Sequence, residues 1–224
     1  MLCPLKQCLL ECPGLNECVG CGVKRRCGWR QVWATDPAAG WHHADEERTP
    51  VIPRGPEGAF DFGMVMGTSR EPVTIRDEHR WYYTGCTVTH GGPHSEKRMS
   101  IGLARWRLHR FLSLDAEPGH EAVVETVPLR LPPGRLEVNA DIAADGHVMV
   151  EVLELDGSVR TGLTAAACTP LRGDSLRHVV QWSSDGLRKA RMPQELLVRG
   201  EVRLRFVMRG ARLFSFRVAA PERL

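Results

Sequence analysis

Six of the eight cysteines fall in the first 27 residues, at Cys3, Cys8, Cys12, Cys18, Cys21 and Cys27; only Cys86 and Cys168 lie beyond. Thiolates grouped this way can hold a metal or cross-link. Zinc takes four thiolate or imidazole ligands in a tetrahedron, commonly as two close pairs separated by a longer loop. Cys18-x2-Cys21 makes one such pair. Cys8-x3-Cys12 would be the second, but the five residues between the pairs make a cramped loop. Disulfides within the stretch are an equal alternative. The plainest expectation for residues 1–28 is a Cys-rich, poorly ordered tail that holds no metal.

His90 and His94 flank Gly91-Gly92-Pro93. Two histidines four apart share a metal on a helix, where both rings face one side, and Gly-Gly-Pro opposes a helix. A loop that hydrogen-bonds a polar ligand is the better functional reading, and an uninvolved surface loop is the plain one. There is no Gly-rich phosphate loop, Gly-x-Ser-x-Gly elbow or His-Glu-x-x-His helix, so no cofactor is expected.

The elements that must position these groups read as strands. Val51-Ile52-Pro53 leads into the turn Arg54 to Gly58, then Phe60-Asp61-Phe62-Gly63 and the run Met64-Val65-Met66. Pro72 to Ile75, Trp81 to Gly85 and Ile101 to Trp106 are further short strands, with a tight turn at Arg76 to His79. The second half alternates more cleanly. Val123 to Leu131 is one strand, and Leu136 to Ile142 pairs through an Asp145-Gly146 hairpin with His147 to Leu153. Asp156-Gly157 is a second hairpin turn, His178 to Trp182 a further strand, and Val202 to Met208 turns at Arg209-Gly210 onto Leu213 to Val218. About eight strands over a hundred residues predict a two-sheet sandwich of jelly-roll type. Trp106 and Trp182 read as core anchors.

The balance of 30 basic and 27 acidic residues leaves a net charge of +3, too small for a nucleic-acid footprint. Nearly all the basic residues are arginine, which is most simply a coding bias. A chain that is 42% hydrophobic and 25% charged is neither disordered nor fibrous. No apolar run approaches the roughly 18–20 residues that would cross a bilayer, so no membrane partner is expected. Cys3, Pro4, Lys6 and Gln7 interrupt any apolar core of an export signal at the start.

The stretch from Trp33 to Val65, with Trp41-His42, Pro53-Arg54-Gly55 and Phe60-Asp61, followed by Trp81-Tyr82-Tyr83-Thr84-Gly85, resembles the five-bladed β-propeller glycosidases of the invertase and arabinanase clan. Ser100 to Ala116 is similar to the exit of such a propeller. Cys168, Leu171-Arg172-Gly173-Asp174-Ser175 and Val180-Gln181-Trp182 resemble the C-terminal sandwich found on bacterial glycosyl hydrolase-like proteins. The likeness covers roughly 29–220, and residues 1–28 have no counterpart in it. A four-stranded blade takes roughly 40–50 residues and five need at least about 200, so the stretch from Trp29 to Ser113 holds one to two blades. The expected organisation is therefore all-β: the tail 1–28, partial propeller blades over 29–116 and a jelly-roll-like sandwich over 117–224. Uncovered blade edges invite association. The expectation is that a homo-oligomer completes them, or that the chain is the C-terminal piece of a longer ancestor.

The resemblance also assigns roles. Glycoside hydrolysis needs two carboxyl groups across the scissile bond, one protonating the leaving oxygen and one acting as base or nucleophile. In the propeller clan these come chiefly from the first three blades, so at the last blades the usual trio is expected to be missing and activity is in doubt. Asp61 and Glu71 remain the catalytic candidates. The plain readings are a turn residue for Asp61 and an exposed rim charge for Glu71. Arg70, Trp81, Tyr83, His90 and His94 are the substrate-binding candidates, since aromatic faces stack on sugar C–H surfaces while polar groups read hydroxyls. Asp77-Glu78 are most simply turn residues. The implied partner is an oligosaccharide or polysaccharide, and the likeness leans towards a secreted or periplasmic setting.

Overall fold

The computed structural model describes residues 50–183 and 200–220 in full, and the strand backbone at 6–10, 29–34 and 42–43. Every regular element among the described residues is a strand, and the sheets include a curled half-barrel. In chain order the strands are β1 (Lys6–Leu10), β2 (Trp29–Ala34), β3 (His42–His43), β4 (Pro50–Ile52), β5 (Met64–Thr68), β6 (Val73–Ile75) and β7 (Glu78–Cys86). They continue with β8 (Met99–Arg107), β9 (Leu114–Ala116), β10 (Ala122–Glu125), β11 (Arg135–Leu153), β12 (Gly173–Val179) and β13 (Arg203–Ala219). The chain divides into two compact units, one closing at Phe111 and the other opening at Leu112. Cys12, Cys18 and Cys21 of the candidate knuckles, and Trp41, lie outside the described residues.

In the first unit β2 pairs antiparallel with β1, β3 and β4. A second sheet is built around β7. One edge of β7 carries β8 in an unbroken nine-residue ladder from Glu78↔Arg107 to Cys86↔Met99. The other edge is shared by β6 over residues 78–80 and by β5 over 83–86. Alternation sends His79, Trp81, Tyr83 and Gly85 to one face and Arg80, Tyr82 and Thr84 to the other. On the first face Trp81 is buried, its ring edge-on to Trp106 at 6.1 Å and tilted against Phe111 at 5.7 Å. The turn between β6 and β7 places Arg76 in the left-handed region, with φ 54°.

The second unit rests on β11 and β13, which pair along their whole length. β12 joins the free edge of β11, while β9 and β10 share that of β13. Leu136, Val138, Ala140, Ile142, Val148, Val150 and Val152 of β11 pack with Leu204, Phe206, Met208, Ala211 and Leu213 of β13 in one apolar core. Cys168, Leu171, Val180 and Trp182 complete it, tied by the Cys168↔Trp182 bridge and by the Trp182 indole N–H donating to the Val150 carbonyl at 2.9 Å. Of the residues that carry the sandwich resemblance, Cys168, Leu171, Val180 and Trp182 are core groups of this unit, while Arg172, Gly173 and Asp174 are exposed.

The two outer hairpins expected here do not form. Asp145-Gly146 and Arg209-Gly210 lie inside the long strands, where five steps along β11 from Ile142 to His147 face two along β13 from Ala211 to Arg209. The extra residues form a bulge rather than a turn. Its physical basis is the meeting of two glycines: a Cβ on Gly146 would run into the carbonyl oxygens of Arg209 and Gly210, and Gly210 holds φ +51°. Arg172 and Arg209 donate to the Gly146 and Asp145 carbonyls at 2.8 and 3.3 Å and fasten the bulge. The bulge also shifts the inward phase of β13 from even to odd numbers. Asp156-Gly157 does turn a tight hairpin, closed by the Leu153↔Val159 bridge, with Gly157 at φ +89°. The Ser158 hydroxyl and backbone N–H bond Asp156 and hold its carboxyl below the ordinary range. The expected strands 123–131 and 178–182 are shorter or earlier than predicted: β10 ends at Glu125 with Leu129 in an isolated bridge, and β12 ends at Val179.

Arginine richness has a local use on this sheet. Register sets Glu137 opposite Arg217, Asp141 opposite Arg212 and Glu151 opposite Arg205, and each of these pairs is ion-paired. Arg205 also bonds Glu125 on the adjoining strand at 2.7 Å.

Candidate functional site

The turn that precedes β5 gathers the chemistry. Pro56 to Phe62 makes two reverse turns, Ala59 N–H to the Pro56 carbonyl at 3.0 Å and Phe62 N–H to the Ala59 carbonyl at 3.2 Å. Asp61 lies at its inner side and is 6% exposed. The Tyr83 hydroxyl of β7 donates to Asp61 Oδ2 at 2.7 Å. Phe60 stacks on the Tyr83 ring with centroids 6.0 Å apart. Burial, and then the bond to Asp61, push the Tyr83 phenol up to about 12. It therefore keeps its proton at neutral pH and serves as a donor, not as a base.

Three glycines make room for this contact. A Cβ on Gly85 would lie 2.5 Å from both Asp61 Cβ and Phe60 Cε2. Gly102, the register partner of Tyr83, lies under the Tyr83 ring, where a Cβ would come within 2.5 Å of Cε1. Gly55 lies against Asp61 Oδ1. At the outer side, Phe60 and Phe62 leave 36% and 39% of their surface open. Arg54 donates to the Phe62 carbonyl at 2.6 Å with its guanidinium 5.9 Å from the Phe62 ring centroid. The result is two open aromatic rings beside a buried carboxylate.

Of the residues singled out from the sequence, the structure brings Asp61 and Tyr83 together. Trp81 is taken up in the interior, its indole N–H donating to the Ser69 carbonyl at 2.6 Å. Arg70 and Glu71 are exposed in the loop between β5 and β6, where the Ser69 hydroxyl donates to the Glu71 carbonyl at 3.1 Å. His90 and His94 are exposed in the loop joining β7 to β8. That loop is braced by Lys97 donating to the His90 carbonyl at 3.0 Å and by Thr87 donating to the Glu96 carbonyl at 2.8 Å. Among the described residues no group of three or more His, Cys, Asp or Glu side chains is placed to hold a metal. The sequence expectation gave no site role to Arg54, Phe60, Phe62 or the three glycines, although Arg54, Gly55, Phe60 and Gly85 stand in the motifs of the resemblance. For Gly102 the signal is a glycine opposite the aromatic Tyr83 across a ladder, which requires the register to be known.

A second polar cluster lies on the same face of the β7 sheet. His79 is buried, hydrogen-bonded through Nδ1 to Thr74 Oγ1 at 2.9 Å and through Nε2 to His109 Nδ1 at 3.3 Å. Phe111 stacks on the His79 ring at 5.0 Å. Burial, and then the neighbouring His109, lower the affinity of His79 for a proton. In the other unit Cys168 is buried, and its thiol is pushed up to about 11 by that burial, which makes it a core group rather than a nucleophile.

Fold and site together define an all-β protein with an aromatic and carboxylate cluster on one sheet. No family model matches the chain, and no curated protein or solved structure is significantly similar to it.

Proposed function

We propose that this chain is a glycosyl hydrolase-like, carbohydrate-active protein, built as one to two propeller blades followed by a jelly-roll-like sandwich. The observation that carries the reading is the cluster at Phe60, Asp61 and Phe62. Sugars are bound by apolar ring faces set beside a few fixed polar groups, and here two open rings flank a carboxylate held by Tyr83. Arg70, Glu71, His90 and His94 are exposed, and we retain them as proposed hydroxyl-reading groups.

A second reading, a non-catalytic carbohydrate-binding module, is favoured by the same contact. The named partner of Asp61 is a phenol that retains its proton, whereas hydrolysis pairs one carboxyl group with another. The two readings separate in one experiment on the full chain. A panel of aryl glycosides and oligosaccharides is tested for turnover and for saturable binding, with wild type and Asp61→Asn side by side. Turnover lost in Asp61→Asn supports the hydrolase. Binding without turnover supports the module. Neither binding nor turnover across the panel overturns both.

A further inference from the structure

The face of the β7 sheet opposite Trp81 carries exposed apolar side chains beside the Glu78–Arg80 ion pair. Register places Tyr82 beside Leu103, Thr84 beside Ile101, Cys86 beside Met99 and Arg80 beside Val73. Tyr82, Leu103, Ile101, Met99, Val73 and Ile75 therefore point to one side. They are 48%, 44%, 77%, 56%, 47% and 41% exposed. Together they present roughly 600 Å² of mostly apolar surface, at the top of what a monomer ordinarily shows. β8, which carries half of these residues, is a nine-residue edge without a bulge, and among the described residues no strand pairs with its outer side. Proteins that stay monomeric usually interrupt such an edge.

We propose that this face binds the same face of a second copy of the chain, related by a two-fold axis. The area decides for a copy. Each partner of a standard interface contributes about 800 Å², and the apolar side chains together with Glu78, Arg80 and Arg105 on the same face approach that. An isologous contact needs one self-complementary surface, and an apolar centre is complementary to itself. The face carries both signs, Glu78 and Arg80 being ion-paired at 3.0 Å. The net charge of +3 sets up little repulsion between copies. The inference does not depend on carbohydrate recognition.

The test is sedimentation equilibrium on the full chain, comparing wild type with Ile101→Lys and Leu103→Glu. Both substitutions fall on exposed positions, so far-UV circular dichroism should match wild type. Wild type is expected to dimerise reversibly, towards twice the chain mass of 25.0 kDa, and each variant to remain at the single-chain mass. A wild type that is monomeric at about 100 μM, a contact weaker than an interface of this area gives, would overturn the proposal. So would a dimer that both variants retain.

Discussion

Tyr83 donates its phenolic proton to Asp61 across 2.7 Å, joining the middle of β7 to a turn 22 residues earlier in the chain. This contact fixes the turn on the sheet, and glycines at 55, 85 and 102 leave the space for it. The chain has only two tyrosines, so Tyr83 can be followed alone once Tyr82 is replaced by Phe. Ultraviolet titration of that variant should show one phenol ionising near 12 rather than near 10.0. Adding Asp61→Asn should move the transition back towards 10.0. Because the folded value lies above the unfolded one, this contact contributes fully below pH 10.0 and is lost as pH rises towards about 12. A midpoint already at 10.0 in the Tyr82→Phe chain would count against the contact.

Tyr83→Phe removes the donor and leaves the Asp61 carboxylate buried without it. The expected cost is about 1–3 kcal/mol in urea unfolding of the first unit. Glu71→Ala, on an exposed loop, should change stability by less than about 0.5 kcal/mol. Equal effects of the two would contradict the difference in burial.

His79 predicts a pH dependence of the opposite sign. Its folded-state proton affinity is lowered by burial and by His109, so the unfolded chain takes up the proton first as pH falls. The stabilisation is present above 6.5 and is lost as pH falls from 6.5 through the lower folded value. Thermal unfolding between about pH 5 and 7 should steepen in wild type and flatten in His79→Gln. Parallel curves would show that the Thr74–His79–His109 chain does not titrate with folding.

The crossing of Gly146 and Gly210 predicts a third effect. Gly146→Ala drives a Cβ into the carbonyls of Arg209 and Gly210, which belong to the paired strand and cannot turn aside. The second unit should lose about 1–3 kcal/mol in chemical denaturation. Gly91→Ala, whose Cβ meets nothing within 4 Å, is the control and should be near neutral. A neutral Gly146→Ala would mean that the strands separate at the bulge.

The all-β class was legible from strand length and punctuation, and Trp182 from its apolar neighbours. It is 4% exposed, with its N–H satisfied by Val150. The hairpins at Asp145-Gly146 and Arg209-Gly210 were misread for a definite reason. A glycine between two alternating runs marks a tight turn and equally marks a bulge, and only the partner strand distinguishes them. Asp61 reads locally as a turn residue, and the turn is there. Its bond to Tyr83 is not legible, because it depends on how a turn folds back over a ladder whose register the sequence leaves open. Trp81 and Tyr83 alternate onto one face as periodicity requires, yet Trp81 is interior and Tyr83 lies beside the open rings. What separates them is Phe111 and Trp106 covering one end of that face.

The measurement that bears most directly on carbohydrate recognition is isothermal calorimetry of the full chain against a panel of neutral and acidic oligosaccharides, repeated with Phe60→Ala and Phe62→Ala. Both rings are more than a third exposed, so these changes should leave folding intact while removing the stacking surface. The expected result is saturable binding of at least one oligosaccharide by wild type, weakened about tenfold or more in each variant. No saturable heat with any member of the panel, or binding that both variants retain at full strength, would contradict the assignment of the Phe60–Asp61–Phe62 turn as a sugar site.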